Sequence, residues 1–384
     1  MTEMKNLTKE KTAIAVLIIA LILFLGAFWW LHSDKTETVR GDEYVEYETG
    51  TVVSILNDTL EKDTASDNAY RGEQTLTARV QSGQYKGEEI LAYNYAGPLY
   101  GGSLKVGDGV VLAISTYSNG DHQATVYEFN RIPALAIVIV LFIIATILVG
   151  GRTGLKSLLG LAFTVLCLFT ILIPWLIKGA PTIPATFLMC VFIALVSFTI
   201  LGGVHRKTVC AFLGTVSGTA IAMIFGILAQ SLVRISGLRI SDVEPLLQLR
   251  QTGTPIGLQG LLVAGIIISA LGAVMDVAMS ISSALEEVHA ADPSLNVRQL
   301  FRSGMNIGRD MVGTMTNTLI LAFLGSGFTL IIYLHSLGLS FNQLFSSAYA
   351  SIEVVSGISS SIGMILAIPL TALISSLSLA GDKE

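Results

Sequence analysis

Three acidic residues stand where an acid is costly. Asp276, Asp310 and Glu353 lie within or beside long apolar runs. Insertion scales put an acid at the centre of a bilayer at about 2.5–3.5 kcal/mol. Each has small and polar companions at helical spacing. In Gly272–Glu287, the residues Gly272, Asp276, Ser280, Ser283 and Glu287 fall on one helical face. In Asn306–Asn317, which also holds Arg309 and Thr316, the residues Asn306, Asp310, Gly313 and Asn317 share a face. Glu353 is followed by Ser356, Ser360 and Gly363 at similar spacing. Three such stripes should face one another or water, and the chemistry they could do is to pass an ion or a proton. Two blander readings stay open. Asp276 and Asp310 could sit at the cytoplasmic interface and pair with Arg302 or Arg309, or the stripes could be ordinary packing seams.

The run Val355–Gly363 is rich in Ser and Gly, and Pro369 follows. A helix break near Gly357 would free backbone carbonyls beside Glu353, as discontinuous helices do in transporter sites. A bent packing helix is the alternative.

Other chemistry finds little support. Cys167, Cys190 and Cys210 lie in or beside apolar runs and read as packing residues, with no CxxC or Cys/His cluster. His205 and His335 read as solvated. No HExxH, GxSxG, P-loop or Rossmann pattern stands in its proper context. An enzyme is not expected, nor a metal or cofactor.

The elements that must hold the stripes are membrane spans. Of 384 residues 52% are hydrophobic and only 13% charged, about half the charge of a soluble domain. Lys5, Lys9 and Lys11 precede an apolar stretch from Ala13 to Leu31 that ends in paired tryptophans. It reads as an uncleaved anchor spanning 1–32 with a cytoplasmic N-terminus. Seven further spans are expected in a membrane domain over 132–384, with cores at 133–149, 157–177, 184–203, 209–233, 256–285, 306–334 and 345–378. The last three exceed what a bilayer needs, so they should tilt, break or project. With an inner N-terminus, inner segments hold eleven Lys and Arg and short outer loops four. This balance puts both termini in the cytoplasm and residues 33–131 outside.

Between the anchor and the second span the pattern changes. Short apolar or alternating runs at 51–55, 74–80, 89–93, 110–114 and 123–127 are separated by turn residues such as Lys86-Gly87 and Asn119-Gly120. Five short strands fit a small OB-like barrel. The domain holds 16 acids and 8 bases, which argues against nucleic acid as a partner. No row of exposed aromatics is evident.

The runs GAVMDVAMSISSALEEV from Gly272, GRDMVGTMTNTLILAFLG from Gly308 and IGMILAIPLTALI from Ile362 resemble the YibE/F family of bacterial multispan membrane proteins. The resemblance implies a bacterial cell membrane and the same order of anchor, outer domain and seven spans, but no site residue. The order of Asp-bearing helix, basic inner loop and Gly/Thr/Asn-rich helix is also distantly similar to the membrane halves of SecD, SecF and RND-type exporters. That analogy would make Asp276 a coupling acid, although this chain has two extra spans and a smaller outer domain. Two functions compete: an ion- or proton-coupled transporter or exporter component, and a membrane scaffold whose barrel binds an envelope protein. The bilayer is the expected partner, with an envelope protein or a second copy as a further one.

Overall fold

The computed structural model describes residues 2–33, 45–116, 122–237, 244–251 and 253–380. The Asn119-Gly120 turn lies outside them. The chain forms two compact units, 36–145 and 1–35 with 146–384.

The first unit holds β1 (Val45–Asp58), β2 (Glu61–Asp63), β3 (Ala69–Val80), β4 (Glu89–Ala96), β5 (Gly109–Thr116) and β6 (His122–Phe129). The five expected strands are β1, β3, β4, β5 and β6; β2 is an additional short strand paired with β3. Strand β1 is hydrogen-bonded to both β5 and β3, so the order β1-β3-β4-β6-β5-β1 closes a barrel. All pairs are antiparallel except β4 with β6. Five strands closed in this order, with one parallel pair, have the topology of an OB barrel.

Alternation fills the barrel. Leu76 and Ala78 of β3, Ala92 of β4, and Val110, Leu112 and Ile114 of β5 point inward and are buried. One end of the interior is polar. Gln74 and Asn94 are fully buried and bonded to each other, the Asn94 amide donating to Gln74 Oε1 at 2.9 Å. Gln74 Oε1 also accepts from the Leu104 backbone N–H at 3.0 Å, while its amide donates to Asp58 at 2.9 Å. The loop that follows β4 is thereby tied to β1 and β3.

The outside of the barrel departs from the reading above. Tyr47, Tyr95 and Tyr127 are all exposed, and the rings of Tyr47 and Tyr127 meet edge-on at 5.1 Å. These residues come from three strands, so no local run displays them together.

The second unit is helical. Its elements are α1 (Thr2–Ser33), the later part of α2 (Ile132–Cys167), a π-helical turn (Leu168–Leu172), α3 (Ile173–Ile177), α4 (Thr182–Gly202), α5 (Arg206–Val233), α6 (Glu244–Gln251), α7 (Leu261–Ala291), α8 (Val297–Ser326), α9 (Phe328–Ser336), α10 (Phe341–Ser346) and α11 (Ala348–Ala380). Among the described residues six helical runs are long and apolar enough to cross a membrane, and α8 with α9 makes a seventh if a bent pair counts as one. The expected spans 133–149 and 157–177 belong to one run, Ile132–Ile177, of 46 residues. At 1.5 Å per residue that is about 69 Å, more than twice the hydrocarbon thickness. The run is not straight. Gly151 is non-helical (φ 54°, ψ −131°), and a methyl on Gly154 would overlap the carbonyl of Thr146. Residues eight apart in a straight helix are about 12 Å apart, so the chain reverses at Gly150-Gly151.

Helix α11 packs most extensively on α5, with α7 and α8 also against it. These contacts are close because the residues are small. A β-carbon on Gly218 of α5 would lie 2.6 Å from Ala367 Cβ, and one on Gly363 of α11 would lie 2.5 Å from Ala222 Cβ. Without a hydrophobic drive between helices in lipid, such backbone approach is the main source of cohesion.

Gln74→Leu strands the Leu104 N–H and one of the two Asn94 amide N–H groups, the other still donating to the Gly102 carbonyl at 2.9 Å, at about 1–3 kcal/mol for each group left unpaired. Hydrogen exchange of the purified chain should show faster exchange at Leu104 and along β3 and β4. Unchanged protection would mean that the network contributes nothing.

Candidate functional site

The polar stripes of α7 and α8 lie at the surface of the single chain. On α7, Asp276 and Ser280 are exposed on the surface of the single chain, as are Gly272 and Glu287. On α8, Asn306, Arg309, Asp310, Gly313 and Asn317 are exposed as well, and Thr316 is half-buried. The expectation that these residues face a common interior is not met within the single chain. The reason is packing: α7 turns its Ile, Leu, Val and Ala inward onto α4, α5 and α11, and the polar edge is what remains. Nor do these acids form ion pairs. Among the described residues, Asp276, Asp310, Arg302 and Arg309 have no salt-bridge partner. The pair at the foot of α7 is instead Lys207 with Glu286, at 2.9 Å.

Asp276 is not at the end of its helix. It lies fifteen residues from either end of α7 and ten residues before Glu286. Ten residues of helix rise about 15 Å, half the hydrocarbon thickness. A charged pair suits the membrane surface, and a surface set at Lys207–Glu286 would put Asp276 near mid-depth.

Glu353 is placed differently. Helix α11 runs without interruption from Ala348 to Ala380 through Pro369, so the break expected near Gly357 is absent. The break lies in the neighbouring span. Helices α8 and α9 meet at Gly327 with a bend of 60°. The sequence there is Gly325-Ser326-Gly327, and Gly/Ser pairs are a usual cause of sharp kinks. Ser326 Oγ donates to the Phe323 carbonyl at 2.8 Å, while Gly327 closes α8 and opens α9.

Glu353 faces this break. Its Cγ and Cδ are 3.5 Å from where a β-carbon on Gly327 would stand, and Phe323 is 3.4 Å from the same position on Gly357. Gly357 thus serves the break by letting α8 approach. The half-buried acid borders a cavity of about 240 Å³ lined by Phe323, Leu324, Ile331 and Val354. It lies at the start of α9, where unpaired backbone N–H groups favour a negative charge. Glu353 is the sixth residue of α11, so this site belongs to one end of the span.

Among the remaining candidates, Ser360 is buried and hydrogen-bonded to Ser269 of α7 at 2.8 Å, a link between helices. Ser356 is half-buried beside it. Sequence reasoning missed a set of buried hydroxyls. Thr215 and Thr219 of α5 and Ser359 and Thr371 of α11 are buried without a hydrogen-bond partner. The spacing of Thr215 and Thr219 in an apolar helix was the available signal. Among the described residues no group of three His, Cys, Asp or Glu could hold a metal ion.

Long apolar helices, one of them broken opposite a carboxylate, together with a closed barrel define a polytopic helical membrane protein with an extracytoplasmic OB-like domain. The chain belongs to the YibE/F-like protein family, whose model matches residues 138–381. The match begins within α2 and runs through α11. Comparison with curated proteins and with solved structures found no match.

Gly218→Leu or Gly363→Leu forces apart α5 and α11 and should abolish recovery of folded protein from membranes. Gly265→Leu, whose β-carbon meets nothing within 4 Å, should not. Equal yields on size-exclusion chromatography would refute the packing argument.

Proposed function

We propose that this chain is a transport component of the bacterial cell membrane, with Glu353 acting at the entrance of its path. One observation carries the reading: the break between α8 and α9 at Gly327, with Glu353 of the facing helix set against it. Broken spans are where membrane transporters present free backbone groups to a solute or ion. The half-buried carboxylate would attract a cation or exchange a proton, and the Gly325-Ser326-Gly327 joint would let α9 move against α11. Counting the reversal at Gly151 as a boundary gives eight spans and so both termini on one side; the Lys and Arg balance supports the cytoplasm as that side, with the barrel outside.

A second reading has its own support. A scaffold that holds an envelope partner would use the exposed Tyr47, Tyr95 and Tyr127 of the barrel, since tyrosine is favoured at interfaces. The outward polar edges of α7 and α8 suit an assembly role as well.

Proteoliposomes carrying an internal pH-sensitive dye, screened with divalent cations, organic acids and amino acids, separate the two. For the transport reading at least one solute moves protons with the natural chain. Glu353→Gln should then insert normally and lose at least tenfold in rate, while Glu353→Asp keeps part of it. Full activity in Glu353→Gln would remove Glu353 from the path, and no solute-driven flux from the natural chain would leave the scaffold reading standing.

A further inference from the structure

From Leu261 to Glu287, helix α7 has no hydrocarbon side chain among its exposed residues, which are Gly265, Gly272, Asp276, Ser280 and Glu287. Helix α8 continues the pattern: from Arg302 to Thr318 every exposed residue is charged, polar or glycine. Other helices of the same unit do the opposite. Helix α5 exposes Leu213, Ile224 and Leu228, and α1 exposes Ile14, Ile18 and Ile22. Those faces suit lipid and the edges of α7 and α8 do not, because Asp276 at mid-depth would face hydrocarbon without a partner.

We propose that these edges form the contact between two copies of this chain in the membrane. Charge complementarity selects a second copy as the occupant. The edge of α7 is acidic, with Asp276 and Glu287, whereas that of α8 carries Arg302 and Arg309 beside Asp310. Two copies related by a twofold axis meet through the same patch, so the arginines of one can reach the acids of the other. None of Asp276, Asp310, Arg302 and Arg309 is engaged in a salt bridge within its own chain among the described residues. The glycines supply the close approach: β-carbons on Gly265, Gly272 and Gly313 would meet nothing within 4 Å in the single chain. Small residues at such spacing let helix backbones touch across a membrane interface.

Gly272→Leu separates the alternatives. Leucine there clashes with nothing in the single chain and suits lipid, but it fills the space a second copy must enter. Two differently tagged copies, co-expressed and extracted in mild detergent, should co-purify as the natural chain. With Gly272→Leu in both copies, co-purification should fall at least fivefold while the yield of folded protein is unchanged. Gly26→Leu, on the exposed face of α1, should change neither. In native membranes Ser280→Cys should form an oxidised adduct of twice the 40.9 kDa chain mass, since Cys167, Cys190 and Cys210 are buried and do not compete. Independence of the two tagged copies, undiminished pairing of Gly272→Leu, or reaction of Ser280→Cys with a water-soluble maleimide in place of the adduct would each overturn the proposal.

Discussion

Hydrocarbon offers no hydrogen bond, and each polar group carried into it must find a partner in protein or water. Much of the helical unit follows from that constraint. Ser269 and Ser360 bond to each other between α7 and α11. Ser282 donates to the Lys207 carbonyl at the start of α5. The break at Gly327 is faced by a carboxylate from α11. Where a polar group finds no partner inside, as along the edges of α7 and α8, the same constraint points to something outside the single chain.

Cohesion has a different origin. Lipid tails are as apolar as leucine, so the inner helices gain little by withdrawing from them. The α5, α7, α8 and α11 group is held by approach of small residues, Gly218 to Ala367 and Gly363 to Ala222 among them. The same glycines that weaken a helix in water are what permit this packing. The barrel, in contrast, is stabilised by apolar burial inside a closed sheet, with one polar knot at Gln74 and Asn94.

Much of the architecture was legible in the sequence because the signals are local. Apolar runs mark the long helices, and short apolar or alternating runs mark β4, β5 and β6 to within three residues, while β1 and β3 begin six and five residues earlier than expected. The family resemblance was legible through runs of thirteen to eighteen residues, and the family model matches the helical region that contains them. What escaped depends on partners distant in sequence. Helical spacing shows that Gly272, Asp276 and Ser280 share a face, but not whether that face looks inward. The inward faces were claimed by Val274, Val277 and Ile281, which are larger and fully buried. The break was expected in the Ser-rich segment of α11, yet that segment is supported on three sides by α5, α7 and α8. Gly325-Ser326-Gly327, with less around it, gave way instead. The tyrosines of the barrel were hidden for the same reason, since only the pairing of both β1 and β6 with β5 brings Tyr47 beside Tyr127.

On the dimer proposal, the polar edges of α7 and α8 are covered in the membrane by protein. Photolabelling of the natural chain in liposomes by a lipid bearing a diazirine in its acyl chain tests this without a mutation. The carbene it forms inserts into whatever faces lipid, and mass spectrometry locates the adducts. Labels are expected on the exposed apolar faces of α1 and α5, around Ile18, Ile22 and Ile224, with none between Gly272 and Ser280 or between Asp310 and Thr318. Labelling of Asp276 or its neighbours as dense as that of Ile224 would contradict the account.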